Sequence, residues 1–201
     1  MIAGGVVNVE IFLLLKAISS CVPSFKYENL RSFCGAAWLF PNCTPGKVGD
    51  VFSEVRETSS LAAQTFKAGA SEALSACLLI RYFLEITIMP RGLIPAEIAS
   101  FLAVCRVLDL MDTIKTFGVG DRILRELKQE VARSLRLHVA AYGCEWVKPK
   151  HHYMIHMPRQ VEEDGVWLDC FVHERKHQII KEAAAHIKNT CLLYTSPSPR
   201  D

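Results

Sequence analysis

Glu72-Ala73-Leu74-Ser75-Ala76-Cys77-Leu78-Leu79-Ile80-Arg81-Tyr82-Phe83-Leu84 is the stretch on which the fold class turns. It holds no Gly or Pro, and its apolar residues run nearly all round a 3.6-residue period. That pattern predicts a helix that is central and buried rather than a surface helix with one apolar stripe. Pro90-Arg91-Gly92-Leu93-Ile94-Pro95 follows as a turn bounded by prolines. Beyond it, Ile98, Leu102, Cys105, Leu108 and Met111 recur every three or four residues, which predicts a second long helix over Ala96–Lys115. The two helices are expected to pack antiparallel across the turn. Leu78, Ile80, Phe83, Leu102, Cys105 and Leu108 should then be largely buried.

Working outward, Gly118-Val119-Gly120 stops the second helix, and Asp121 is placed to cap the next. There Leu124, Leu127, Val131, Leu135 and Val139 form one stripe, with Arg122, Arg125, Arg133 and Arg136 on other faces. Upstream, Val6–Ile18 is apolar but interrupted by Asn8, Glu10 and Lys16. It is too short to cross a bilayer and reads as a buried helix, ended by Ser19–Pro23. Tyr27–Leu39 and Val51–Ser59 are further helices, separated by a Pro/Gly/Asn/Thr loop over Asn42–Asp50. Trp146–Pro149 is a linker, His151–Glu163 is helical, Asp164-Gly165 is a turn, and Leu168–Ile187 is a last helix. No alternating strand pattern of useful length occurs. The fold class is therefore all-α: an irregular helical bundle with long central helices, over 1–147, with 148–190 a His-rich helical segment of the same domain.

Composition narrows the function classes. Half of the residues are hydrophobic and 22% are charged, as in a globular chain. A net charge of +2 gives no overall field for nucleic acid or an anionic membrane, so any such contact must be local. The eight Cys lack paired spacing and read as reduced intracellular thiols. No phosphate loop, dinucleotide fingerprint or nucleophile elbow occurs.

Six of the seven His lie between Lys148 and His186. Spacing by four puts His152 with His156, and His173 with His177, each on one helix face. His173-Glu174-Arg175-Lys176-His177 matches the zincin pattern, in which two imidazoles hold zinc and the Glu activates water. Arg175 and Lys176 place two cations beside the would-be dication, which disfavours that chemistry. Cys170, His173 and His177, with His152 or His156, form a candidate structural zinc set. The reading preferred to it is local hydrogen bonding on helix surfaces, with Cys170 buried, because no second Cys pair anchors a closed site.

Phe66-Lys67-Ala68-x-x-x-Glu72, the apolar helix, Leu93-x-Pro95 and the Phe101–Leu110 helix together resemble the late helical region of CACTA-type DNA transposases. Lys148-Pro149-Lys150-x-His152-Tyr153-x-x-His156-x-Pro158 resembles the Pro-Lys-x-His-Tyr-x-x-His-x-Pro motif of that family. His173–His177 resembles the Glu-Arg-Lys-His element that follows it, although Val172-His173 stands where the family often has an aromatic residue. The resemblance spans about Phe66 to Lys188. It implies a helical scaffold fragment of a mobile-element protein in the nucleus, touching DNA and the missing parts of its parent, with no membrane. Mg2+ would belong to the full-length transposase and none to this fragment, because strand transfer needs several converging carboxylates.

The candidate DNA contacts are Arg122, Arg125, Arg133, Arg136, Lys148 and Lys150, and Glu174 is the candidate catalytic acid. The alternatives are a non-catalytic intracellular helical interaction module and, less favoured, a zinc-binding or zincin-type enzyme. Cys191–Asp201 matches, on back-translation, a common sequencing-library adapter read in frame. It is expected to pack against nothing, and Met1 is read as internal to the parent gene.

Overall fold

Asn8–Cys21 forms α1, and every residue from Asn8 to Leu15 is buried. A computed structural model describes residues 3–37 and 49–166. The chain divides into two compact units, Met1–Trp167 and Leu168–Asp201, and all the described residues belong to the first. The predicted Leu168–Ile187 helix, the Cys191–Asp201 tail and the loop after Ala37 lie outside the described residues. Among the described residues the remaining long helices are α2 (Tyr27–Ala37), α3 (Glu54–Ala63), α4 (Ala70–Phe83), α5 (Pro95–Phe117), α6 (Asp121–Tyr142) and α7 (Pro149–Asp164). They contain no strand, and the all-α class stands.

The core helix is α1 rather than the helix of the Glu72–Leu84 run. Ile11, Leu14 and Leu15 are fully buried, each removal from water contributing about 1.5–3 kcal/mol. By contrast α4 buries Ala73, Ala76, Leu79 and Ile80 on one side only. Leu78, expected inside, is 54% exposed. The helical run Ala70–Arg91 is long and apolar enough to cross a membrane by length and composition, with 44% of its apolar window buried in the protein. Ile80, Phe83 and Cys105 are buried as expected, while Leu102 and Leu108 are half-buried.

A π-helical turn over Leu84–Ile88 and a short 3-10 turn over Met89–Arg91 extend α4 towards the Pro-bounded turn. Gly92 (φ 67°) takes the left-handed conformation there, and so does Ile94 (φ 45°). The helices on either side meet where the free thiols of Cys77 and Cys105 share a hydrogen bond and Arg81 bonds Asp109 at 3.0 Å. The closest packing of α5, however, is against α6 and then α1. The reason is amphipathicity: α6 has an apolar stripe that needs a continuous partner, and α5 is apolar enough to serve α1 and α6 at once.

Other boundaries moved. The third helix begins at Glu54 rather than Val51, because Val51 and Phe52 are wholly buried in the turn before it. Asp121 is the first helical residue of α6 rather than its cap. Gly120 holds the cap position, and no side-chain bond is made there. The Phe66–Glu72 motif is a structural knot. Phe66 packs against Tyr27 and Phe52, with ring centroids 6.0 and 5.8 Å away. Arg56 Nη1 donates to the Lys67 carbonyl at 2.6 Å, and Glu72 Oε2 accepts from the Gly69 amide at the start of α4.

Candidate functional site

The face of α6 turned away from the core is the candidate nucleic-acid interface. Leu124, Leu127, Val131, Ser134 and His138 are its buried residues. Their 3-4-3-4 spacing replaces the predicted end of the stripe: Leu135 is half-buried and Val139 is 38% exposed. At about 100° per residue, Arg122, Arg125, Arg133 and Arg136 fall within an arc of about 80°. That arc lies opposite the buried stripe, so the four arginines, all exposed, share one face instead of being scattered over several.

Glu126 and Glu130, at the edge of that arc, do not neutralise it. Glu126 bonds Arg106 of α5, and Glu130 bonds Arg133 at 3.1 Å. Arg122, Arg125 and Arg136 have no acidic partner among the described residues. The four span about 21 Å along the axis.

Lys148 and Lys150 open α7. The Lys148 ammonium lies 5.4 Å from the centre of the Trp146 ring, and Lys16 approaches the same ring at the same distance. The Lys150 stem covers Gly5 so closely that a β-carbon there would collide with it. Both side chains are therefore anchored by packing as well as carrying charge.

A second polar site lies inside the protein. Glu10 of α1 is 0% exposed and His138 of α6 is 1% exposed. The His138 Nδ1–H donates to Glu10 Oε2 at 2.7 Å, and Ser100 Oγ of α5 donates to Glu10 Oε1. The His138 ring also packs between Tyr142 and His151, with centroids 5.2 and 4.4 Å away. His151 Nδ1 accepts from the Lys148 amide at 3.0 Å, which leaves the proton on Nε2, buried and without a partner. Burial, then the neighbouring His138, pushes the His151 pKa down to about 4. Burial raises that of the Tyr142 hydroxyl, which is also unpaired. The cluster resembles an acid-base pair in composition, but its groups are enclosed and Ser100 donates to the carboxylate rather than to the imidazole. It is therefore a polar lock tying α1, α5, α6 and α7 together. Sequence reasoning dwelt on the other six histidines and passed over His138.

The described metal candidates are His152 and His156, both exposed on α7. They share one helix face, as their spacing by four implies, and their Nε2 atoms stand 3.3 Å apart. Among the described residues no group of three or more His, Cys, Asp or Glu is placed to hold a metal ion. Cys170, His173, Glu174 and His177, and with them the zincin-like motif, lie outside the described residues. No protein family matches the chain, and neither a curated protein nor a solved structure does.

Proposed function

We propose that this protein is a helical scaffold region of a transposase-like mobile-element protein, and that it contacts DNA through the outer face of α6. The carrying observation is the arginine row: four guanidinium groups on one exposed helix face, opposite the core, three of them without acidic partners among the described residues. A helix fits the major groove, and guanidinium groups spaced along its outer side meet phosphates at the groove walls. The sequence resemblance over Phe66–Lys188 supplies the transposase character. On this view Mg2+ and the carboxylates that hold it come from elsewhere in the parent protein, and the fragment works in the nucleus.

Fluorescence anisotropy with a labelled duplex tests it. Four phosphate contacts give a slope of log K against log salt of about −3.6, or roughly 150-fold weaker binding at 200 mM than at 50 mM salt. Replacing Arg122, Arg125, Arg133 and Arg136 with Gln should abolish most of that slope. An unchanged slope in the fourfold variant sinks the proposal.

A second reading, a helical protein-interaction module, is favoured by one observation. Leu78, Tyr82, Ile86 and Met89 make an exposed apolar row along α4 and its extension. The same titration separates the two: no binding of duplex by the unsubstituted protein leaves the α4 row as the functional surface.

A further inference from the structure

We infer that His152 and His156 form a two-imidazole zinc site on the outer surface of α7, independent of the nucleic-acid reading. The argument is geometric. Their Nε2 atoms stand 3.3 Å apart, at one turn's separation on the helix Pro149–Asp164. A zinc ion sits about 2.0–2.1 Å from an imidazole nitrogen. An ion bound to both atoms at those lengths subtends an N–Zn–N angle of about 104–111°, which brackets the tetrahedral value of about 109°. A square or octahedral ion wants about 90° and would need the two nitrogens about 2.9 Å apart, closer than they stand. The pair is thus spaced for Zn2+ before any ion arrives.

The surroundings allow it. Both imidazoles are exposed, so two waters are free to complete the shell. The cations flanking the pair in sequence are engaged elsewhere: Lys148 lies over the Trp146 ring, the Lys150 stem packs over Gly5, and Arg159 bonds Glu163 at 2.7 Å. Without metal, one ring must donate its Nε2 proton to the other across the 3.3 Å gap. Zinc needs both Nε2 lone pairs. The donor ring therefore moves that proton to Nδ1, which leaves both Nε2 lone pairs for the ion.

Zinc calorimetry on the whole chain, beside His152→Ala and His156→Ala, tests the site. Because the thiols and the remaining histidines are common to all three proteins, only the difference between them counts. Even a residue that merely supports a ligand costs about 10–100-fold in affinity when removed, so losing one of two ligands should weaken this event at least about tenfold. Zinc at about 100 times its dissociation constant should raise the melting midpoint of the unsubstituted chain by about 5–10 °C, and that of a variant binding tenfold more weakly by only about half as much. Both substitutions are at exposed positions, and melts without metal should coincide for the three proteins, which verifies the folding of the variants. A zinc event of equal affinity and stoichiometry in all three overturns the proposal, as does the lack of any event in the unsubstituted chain.

Discussion

Glu10→Ala is the sharpest perturbation of this fold. The carboxylate accepts from His138 of α6 and Ser100 of α5, with all three side chains buried. Truncation leaves a buried imidazole and a buried hydroxyl without their acceptor. Removing one member of a buried pair costs about 3–5 kcal/mol. For a chain of this size that lowers the melting midpoint by about 6–20 °C. Glu10→Gln should be far milder, at about 1 kcal/mol, for a specific reason. The Gln carbonyl still accepts from Ser100, and its amide donates to His138 Nδ1 once the ring moves its proton to Nε2. That nitrogen already faces the Trp146 carbonyl at 3.4 Å. Replacing Glu10 and His138 together with Leu should cost less than the sum of the single losses, with a coupling of about 0.5–3 kcal/mol. Urea denaturation followed by far-UV circular dichroism gives each value. A loss below about 1 kcal/mol for Glu10→Ala, at unchanged denaturant slope, would refute the polar-lock assignment.

Two further outcomes follow from buried titratable groups. His151, held at about 4 against an ordinary value near 6.5, stays neutral in the folded protein while the unfolded chain takes up a proton, so stability is full above about pH 6.5 and falls by up to about 3 kcal/mol as pH drops to 4; urea midpoints across that range should fall less steeply in His151→Phe, and equal slopes would count against it. Cys21 and Cys144 are exposed, whereas Cys34, Cys77 and Cys105 are buried, with the Cys77 thiol raised by its bond to Cys105 and by burial; iodoacetamide followed by mass mapping should label the first two well before the other three, and labelling of Cys77 as fast as Cys21 would contradict the packing.

Periodicity made the helices legible, and it failed where composition had to stand in for tertiary partnership. The Glu72–Leu84 run is apolar on nearly every side, yet only one side is buried, and Leu78 remains outside, as do Ile86 and Met89 of its extension. The Val6–Ile18 run looks less suited to a core because Asn8 and Glu10 interrupt it. Those two residues are nevertheless inside, because each has a distant group to bond. Asn8 Nδ2 donates to the Ala68 carbonyl at 3.0 Å, sixty residues away, and Glu10 meets Ser100 and His138. Sequence spacing within one helix carries no information about such long-range bonds.

The candidate sites divide along the same line. The arginine face is a property of one helix, so its register was present in the positions of Arg122, Arg125, Arg133 and Arg136 and needed only projection onto a wheel. His152 and His156 are likewise a local pair, and their spacing by four gave the shared face. What it did not give is the rotamer that turns the two Nε2 atoms towards each other. The Glu10–His138 lock needed two helices more than a hundred residues apart, but one local sign existed. Ser134 and His138 continue the stripe of Leu124, Leu127 and Val131 at the same 3-4 spacing. A polar residue on a core stripe requires a buried partner. In this chain Glu10, a charged residue inside the most apolar N-terminal run, was the matching half of that requirement.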